Sequence, residues 1–291
     1  MNFKERIING LYGQAVADSC GNPFEFKNDI DPDSVIAYAN RTDRLVISDD
    51  TQMAMFGFEA MKAVGNTKPD YLIGESVNDE FTKAYIDWFR TQTESAWNAK
   101  IFKDSLLSFN SMWSIQAPGN TCLSALKTLK KGGVVKNNSM GCGSVMRLLP
   151  LVMLLDEKYN LTFDHAVVLA TISGSITHKH VQNDVAIIQY MIAANEILQD
   201  RPVSVVVDAD SIEEIGGGWI APEAVEMAIW AYSRAESFDD LLALSIAHDG
   251  DSDSVGAIAG SLWGLSGREV PRKYIDKLDA LDAIDWVVAG L

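Results

Sequence analysis

Apolar residues recur at helical spacing along almost the whole chain, and this pattern constrains the fold more than any other feature of the sequence. Residues 151–201 contain no proline, which suits long helices because proline breaks a helix interior. Only residues 203–207 have a strand-like composition, and one strand cannot form a sheet. The sequence therefore predicts an all-α protein. Helices are expected near 3–15, 52–63, 76–90, 121–130, 144–156, 162–176, 180–199, 222–234, 238–247, 252–265 and 274–288.

Length and composition predict one compact multi-helix domain. The chain has 291 residues, of which 47% are hydrophobic, so it can bury a full core. Its sequence contains no linker rich in proline, glycine and serine, no low-complexity tract and no repeat of fixed period. We therefore expect residues 1–291 to form a single domain, with a monomer as the default assembly.

The formal net charge of −16 argues against a surface that binds nucleic acid or an anionic membrane, because both partners need basic patches. A small anionic ligand is still compatible, since metal ions, helix N-termini and backbone N–H groups can hold it. Three cysteines without a Cys-x-x-Cys pair predict neither a disulfide framework nor a zinc ribbon. The charged N-terminus lacks a signal-peptide core, and the apolar run 148–155 is too short to span a bilayer. We expect a soluble, cytoplasmic protein.

The predicted helix 252–265 has a face of small residues. Gly256, Gly260 and Gly264 recur every four positions along it. A glycine inside a helix costs about 1 kcal/mol relative to alanine, so tight packing against another backbone is the expected compensation. The sequence therefore predicts a buried central helix whose N-terminal end is held firmly.

Two short acidic clusters lie far apart in the sequence, at residues 48–51 (Ser-Asp-Asp-Thr) and 251–254 (Asp-Ser-Asp-Ser). Each precedes an apolar helical stretch, and either one alone is more often a helix cap than a ligand set. A cap needs one side-chain oxygen, however, and each cluster supplies about four candidate side chains. Four carboxylates in one place would repel strongly unless cations lay between them, and hard oxygen ligands suit Mg²⁺ or Mn²⁺.

Four glycine-bearing segments are expected to be loops that open onto helix N-termini, where backbone N–H groups can cradle phosphate. Each is weak evidence alone, because glycine before a helix is ordinary turn chemistry. His178 and His180 are two residues apart and cannot share a helix face, so a loop or helix start is expected there. The four segments are 13–25, which contains Asp18 and Glu25, 117–121, 139–144 and 216–219.

Together these segments resemble the ADP-ribosylglycohydrolases, the family that includes dinitrogenase reductase-activating glycohydrolase and the ADP-ribosyl-acceptor hydrolases. The family's motifs occur in family order over residues 7–265, and their combination is specific although no single block is. The matching segments are Gly13 with residues 17–25 for Gly-x-x-x-Gly-Asp-x-x-Gly-x-x-x-Glu, residues 48–51 for Thr-Asp-Asp-Thr, residues 141–147 for Gly-Asn-Gly-Ala-x-Met-Arg, residues 177–180 for Thr-His-x-His, and residues 250–260 for Gly-Asp-Ser-Asp-Ser-x-Gly-x-Ile-Ala-Gly.

The resemblance implies an all-α domain with a binuclear metal cleft that holds two Mg²⁺ or Mn²⁺ ions. In such a cleft the metals hold the ribose whose anomeric carbon bears the modified group. The positions that match the family's metal ligands are Ser48, Asp49, Asp50, Asp251, Asp253 and Ser254. The positions that match those around the diphosphate and distal ribose are Gly119, Ser139, Gly141, Gly143, Ser144 and His178.

The implied reaction is hydrolysis of the glycosidic bond between ADP-ribose and an acceptor, with release of ADP-ribose. The acceptor would be a protein side chain or a related small group. Such cleavage passes through an oxocarbenium-like state that a placed carboxylate and an activated water assist. The catalytic candidates are Asp49 or Asp50 together with a water that the metals acidify, and Glu25, which matches a mobile-loop glutamate, as a second acid or base.

Three positions depart from the family pattern. Cys142 replaces the usual asparagine, which bears on substrate choice, Ser48 replaces threonine but keeps the hydroxyl, and Asp249 adds a carboxylate before Gly250.

Two other functions stay open. One is a non-catalytic ADP-ribose binder or a structural protein akin to the lens crystallin of this family, which loss of metal carboxylates would favour. The other is a metal-dependent nucleotide phosphohydrolase, for which His248-Asp249 is a poor motif match.

Overall fold

The computed structural model describes residues 1–65, 73–96 and 102–291, which fold into α-helices joined by loops and short 3-10 turns. Among these residues there is no β-strand, and the isolated bridges pair Leu45 with Leu278 and Gly141 with Ile220. The all-α class predicted from the sequence is confirmed. In chain order the α-helices are α1 (Phe3–Gly21), α2 (Pro32–Arg41), α3 (Asp49–Gly65), α4 (Ile73–Thr93), α5 (Asn120–Lys130), α6 (Phe163–Ser175), α7 (Val181–Leu198), α8 (Ala221–Arg234), α9 (Phe238–Ile246), α10 (Ser252–Leu265), α11 (Arg272–Ile275) and α12 (Leu281–Gly290).

Helix α10 lies at the centre of the fold, and every one of its residues is buried. Its small-residue face packs directly against α1. A Cβ atom added to Gly260 would collide with the carbonyl oxygen of Gly13, and one added to Gly264 would collide with that of Asn9. The two backbones can approach so closely because these positions lack side chains. The predicted buried central helix is confirmed. Gly21 of α1 lies against the Ser252 carbonyl and the Asp253 backbone, so the close packing extends to the end that carries the second acidic cluster.

The other helices surround this pair and share one hydrophobic core that extends from Ile7 to Val287. Helices α8 and α9 pack on α10, while α3 packs on α4. Helix α1 starts with a reciprocal capping box, in which Asn2 and Glu5 each accept a hydrogen bond from the other's backbone N–H. This arrangement satisfies donors that a helix start leaves unpaired.

Residues 144–156 do not form the α-helix that the sequence predicted. They are largely 3-10 in character, with turns at Cys142–Ser144 and Leu149–Leu155. Pro150 gives the physical reason, because proline has no N–H to donate and its ring clashes with the carbonyl four residues earlier in an α-helix. The tighter turns keep the whole run 148–154 buried.

The predicted helix 274–288 is divided into α11 and α12. Between the two, the backbone pairs with a distant residue. The N–H of Leu45 donates to the Lys277 carbonyl (2.8 Å), and the N–H of Asp279 donates to the Leu45 carbonyl (2.9 Å). Backbone groups that bond to another segment cannot also continue a helical ladder, so the helix is interrupted there.

Two further differences lie near the N-terminus. The expected loop 13–25 is helical up to residue 21, because α1 continues to Gly21. Helix α2 was not predicted, although Asp31 caps it and Pro32 occupies its first turn, as helix starts prefer. The strand-like residues 203–207 form no strand. In the described ranges, no helix is both long and apolar enough to cross a membrane.

Candidate active site

The N-terminal ends of α3 and α10 meet at the floor of one pocket, as the matching acidic clusters led us to expect. The pocket has a volume of about 330 Å³. Carboxylate oxygens of Glu25, Asp251 and Asp253 lie within 4.8 Å of one another. The acidic floor, as we call this part of the pocket, consists of Glu25, Asp49, Asp50, Asp251, Asp253 and Ser254.

Asp18 of α1 holds the first acidic cluster, residues 48–51, in place from behind the pocket floor. Its fully buried carboxylate accepts hydrogen bonds from the backbone N–H of Ser48 (3.1 Å to each oxygen) and from that of Thr51 (3.2 Å). These bonds satisfy donors at the start of α3 and fix the direction of that helix. The Ser48 hydroxyl in turn donates to Asp50 Oδ2 at 3.2 Å. The first cluster is therefore pre-organised by a carboxylate that does not itself line the pocket.

Asp251 is both the N-cap of α10 and a part of the floor. Its Oδ1 accepts from the backbone N–H of Ser254 (3.3 Å), and its own N–H donates to the Gly217 carbonyl (2.8 Å). Its Oδ2 accepts a hydrogen bond from the Cys142 thiol at 2.8 Å. Asp251 therefore caps α10, as its position before the helix allowed. The cap uses only one of the several side-chain oxygens in the cluster 251–254.

Burial raises the pKa of the carboxyl groups in the acidic floor. The pKa values of Asp49, Asp50 and Asp251 are raised well above the usual range, first by burial and then by the neighbouring Asp253 charge. Burial also raises the pKa of Asp253 itself. Like charges this close in a poorly solvated place cannot all stay ionised unless something positive compensates them.

The donor set of the acidic floor fits hard divalent cations. None of the ion pairs in the described part of the chain involves one of these carboxylates. The Oδ1 atom of Asp50 is buried and has no hydrogen-bond partner among the described residues. Carboxylate and hydroxyl oxygens are the ligands that Mg²⁺ and Mn²⁺ prefer, and a cation would satisfy such an orphaned oxygen.

A second part of the pocket wall is built from glycines and from the start of α5. Gly119 precedes α5, and its N–H donates to Asp49 Oδ2 at 3.3 Å, which ties this wall to the acidic floor. Gly141 and Gly143 lie against the ring of His178, where added Cβ atoms would come within 3.2 and 3.0 Å of it. A helix N-terminus beside small residues suits an anion, because backbone N–H groups point outward and the helix dipole favours negative charge.

His178 faces this wall as a neutral hydrogen-bond donor. Arg147 Nη2 donates to the Thr177 hydroxyl (2.7 Å), so that hydroxyl is free to give its own proton to His178 Nδ1, 2.8 Å away. The ring proton is thereby assigned to Nε2, the atom nearest Gly141. Burial, followed by the Arg147 charge, lowers the pKa of His178 to about 3. The imidazole stays neutral at physiological pH, with a buried cation behind it.

Three of the predicted site residues support the pocket from outside its lining. Ser48 lies beneath the floor, where it bonds Asp50. The Ser144 hydroxyl is buried and donates to the Gly141 carbonyl at 3.3 Å. The Ser139 hydroxyl accepts from the Gly141 N–H at 3.3 Å. The other predicted residues, namely Glu25, Asp49, Asp50, Gly119, Gly141, Gly143, His178, Asp251, Asp253 and Ser254, all line the pocket.

Several residues of the site were not assigned from the sequence, among them Asp18, Arg147, Phe26 and Trp219. Asp18 lies beneath the floor, Arg147 lies behind His178, and Phe26 and Trp219 line the pocket mouth. Asp18 continues the apolar stripe of α1, and a carboxylate on a core-facing stripe signals a buried acid that needs partners. Arg147 likewise interrupts an apolar run. No sequence signal distinguishes the two aromatic residues from ordinary loop residues.

Without divalent cations, we expect the stability of the protein to fall as the pH rises. Burial and the Asp253 charge raise the pKa of Asp18 to about 7 and that of Glu25 to about 8. The folded protein therefore keeps protons that the unfolded chain has released above about pH 4, and stability declines from there to pH 8. In EDTA, the melting temperature should be several degrees lower at pH 8 than at pH 5, and Mg²⁺ should remove most of the difference. Equal melting temperatures in EDTA would contradict the described charge cluster.

Comparison with known proteins shows the family. A family model described as ADP-ribosylglycohydrolase matches residues 1–290, and the chain belongs to this family. An uncharacterized Escherichia coli K12 protein, YegU, is 25% identical over 97% of this chain and 94% of its own length. An uncharacterized Archaeoglobus fulgidus protein is 24% identical over 52% of this chain, and the match spans 57% of that relative.

A solved structure titled "ADP-ribosylglycohydrolase-related protein complex" has the same fold. It superposes with a TM-score of 0.66 over 99% of this chain and 98% of its own, at 19% sequence identity. At this identity the likeness establishes the helical architecture alone.

Proposed function

We propose that the protein is a metal-dependent hydrolase that cleaves the glycosidic bond between ADP-ribose and an acceptor and releases ADP-ribose. The observation that carries this proposal is a single pocket with two chemically different walls. One is the acidic floor, and the other presents the start of α5, two glycines and a neutral imidazole. A ribose held through cations suits the first wall, and a diphosphate suits the second. Membership of the ADP-ribosylglycohydrolase family supports the same reading.

Two Mg²⁺ or Mn²⁺ ions are the proposed cofactors. When bound, such ions supply positive charge that orients the ribose hydroxyls and acidifies water. Asp18 and the Ser48 hydroxyl would keep the ligand oxygens of α3 in position, since both bond to that cluster without lining the pocket. The proposed ligands are Asp49, Asp50, Asp251, Asp253 and Ser254.

The diphosphate is proposed to lie against the second wall. His178 Nε2–H would donate to a phosphate oxygen, and the neutral ring needs no counter-charge when the ligand leaves. Arg147, which is 1% exposed, adds positive charge from behind without contacting the pocket. Gly119 has open space where a Cβ atom would lie, so a ligand can approach the backbone there, whereas Gly141 and Gly143 leave room for the His178 ring.

Glu25 is proposed as the acid that protonates the departing acceptor atom. Burial, followed by the Asp253 charge, raises the pKa of Glu25 to about 8 in the cation-free protein. When cations compensate the Asp253 charge, burial still favours the protonated carboxyl. When the glycosidic bond breaks, its electron pair leaves with the acceptor, and the proton of Glu25 neutralises that atom. Asp49 or Asp50 is the proposed base, which takes the proton of the water that attacks the anomeric carbon.

The two other candidate functions have less support. A non-catalytic family member would be expected to have lost carboxylates of the metal site, whereas this chain keeps all of them in one pocket. His248, which would belong to a phosphohydrolase motif, is buried and does not line the pocket.

A product assay tests the proposed function directly. We expect the protein, incubated with Mg²⁺ and a panel of ADP-ribosylated peptides and small molecules, to release free ADP-ribose, detected by mass spectrometry. The panel should include arginine, serine and nucleobase linkages. Release of inorganic phosphate from nucleotides instead would support a phosphohydrolase. Binding of ADP-ribose without release from any substrate would support a non-catalytic binder.

A further inference from the structure

A buried glutamine of α3 contacts the loop that leads into the second wall of the pocket. Gln52 directly follows the first acidic cluster, is fully buried and does not line the pocket. Its Nε2 donates to the Ser114 carbonyl oxygen (3.2 Å) and lies 3.5 Å from the Ser114 hydroxyl. Residues 114–119, which we call the wall loop, connect this contact to the start of α5. The last three of them line the pocket.

Two residues of α4 fix the orientation of the Gln52 amide. Its Oε1 accepts from the indole N–H of Trp88 (3.2 Å) and from Gln92 Nε2 (3.0 Å). An indole N–H can only donate, so the amide atom that faces Trp88 must be the oxygen. The amide nitrogen is then turned toward Ser114, whose carbonyl oxygen can only accept. Turning the amide over would leave the indole N–H unpaired in a buried place, which costs free energy.

The start of α3 holds the wall loop at two further points. The backbone N–H of Asp49 donates to the Gln116 carbonyl (3.1 Å), and Asp49 Oδ2 accepts from the N–H of Gly119 (3.3 Å). Between these points Ala117 has a φ of 49°, in the left-handed region that residues other than glycine rarely adopt. Such a conformation persists where surrounding contacts enforce it. The helix start that carries part of the acidic floor therefore also sets the path of the wall loop.

The path of the wall loop determines where the first N–H groups of α5 point. Gly119 is the N-cap of α5 and has no side chain with which to bond them. A Cβ atom on Gly119 would meet no other atom within 4 Å, so a ligand can reach the backbone there. In the proposed function these N–H groups face the diphosphate. Because the diphosphate and its ribose are joined covalently, the start of α5 must lie at a matching distance from the acidic floor.

Building on the proposed function, we infer that Gln52 is a positioning residue for the diphosphate. It holds the wall loop at Ser114, so that the start of α5 keeps its place relative to the acidic floor. The Gln52 side chain does not line the pocket, so it acts on the ligand through the wall loop alone. Loss of its hydrogen bonds should therefore weaken the binding of a diphosphate and leave the binding of divalent cations intact.

The test measures the affinity of the intact protein for ADP and for ADP-ribose by isothermal titration with Mg²⁺. Gln52→Met keeps the length and bulk of the side chain and removes its hydrogen bonds. We expect this variant to bind both ligands about tenfold more weakly. The KM for an ADP-ribosylated substrate should rise by a similar factor, with kcat changed by less than about threefold. The rise in melting temperature with Mg²⁺ alone should stay within about a quarter of the wild-type rise.

A milder variant tests the same role if Gln52→Met does not fold. Gln92→Met removes one of the two bonds that orient the Gln52 amide and leaves the other, from Trp88, in place. It should weaken ADP binding by about threefold, again without a change in the response to Mg²⁺.

Trp230→Phe is a matched control, because it also removes a bond from a buried side chain to a loop carbonyl. The Trp230 indole donates to the Ala209 carbonyl at 2.9 Å, and neither residue lines the pocket. This variant should melt at a lower temperature and bind ADP as the wild type does.

Two results would overturn the positioning role and leave the proposed function intact. One is wild-type affinity for ADP in the folded variants of Gln52 and Gln92. The other is an equal loss of ADP affinity in Trp230→Phe, which would trace the effect to general destabilisation. If the wild-type protein releases ADP-ribose from no substrate and binds neither ADP nor ADP-ribose, the proposed function is wrong, and the positioning role falls with it.

Discussion

Asp253→Asn should reduce kcat for release of ADP-ribose by at least about a hundredfold, because it removes a central charge of the proposed metal site. Asp253 is buried, and its carboxylate is the neighbouring charge that most raises the pKa of Asp49, Asp50 and Asp251. A residue that interacts with all of these carboxylates is also the one best placed to share cations with them. The activity assay uses a saturating ADP-ribosylated substrate and a titration of Mg²⁺.

The same variant should keep its fold and respond less to metal. A ligand stabilises the native state in proportion to how tightly it binds, so the rise in melting temperature with Mg²⁺ should shrink to less than about half that of the wild type. In EDTA the variant should melt at a higher temperature than the wild type, since one member of a repulsive buried cluster is gone. Thermal melting with and without Mg²⁺ measures both effects.

Asp164→Asn provides a matched control. Asp164 occupies the same first-turn position of α6 that Asp253 occupies in α10, but it is exposed and lies outside the pocket. Its replacement removes an equal helix-dipole interaction and should leave turnover and the metal response unchanged. Full activity of Asp253→Asn together with a wild-type melting shift would show that the acidic floor is not a metal site.

The fold was predictable where local pattern and packing agree. Helix α10 begins and ends at the predicted residues, because its first acidic turn and its small-residue face are both visible in sequence. The interruption between α11 and α12 was not predictable, since it depends on backbone bonds to Leu45, which is remote in sequence. The 3-10 run at Leu149–Leu155 was partly visible, because Pro150 stands inside it, but the apolar periodicity outweighed that signal.

The residue types in the candidate site could be predicted from the sequence. The residues that hold them in position from outside the pocket could not. The two acidic clusters showed which side chains the candidate site contains, and their matching chemistry suggested that they meet in space. The role of Asp18 depends on α1 continuing past the expected loop, so that its carboxylate points at the start of α3. The donor role of His178 depends on the chain of bonds through Thr177 from Arg147, which no local pattern reveals.

These details explain how an acidic protein could bind an anion. The carboxylates are gathered on one wall, where cations would compensate them, and the other wall presents a neutral donor and a helix start. Arg147 is buried behind that donor, with its guanidinium 4.3 Å from the ring centroid of Tyr85 and no carboxylate partner among the described ion pairs. Its positive charge is therefore not cancelled locally and acts at short range on the second wall.

ADP-ribose should bind at least about tenfold more tightly than AMP in the presence of Mg²⁺, and EDTA should abolish most of this difference. In the proposed binding mode, AMP would offer one phosphate to the His178 wall, whereas ADP-ribose would also place a second ribose over Asp49, Asp50 and Asp253. ADP separates the two contributions, because it has the diphosphate but lacks that ribose. With Mg²⁺ we expect the order ADP-ribose, ADP, AMP, and isothermal titration with and without chelator measures it. If AMP and ADP-ribose bind equally well and EDTA changes neither affinity, the ribose does not lie over the acidic floor.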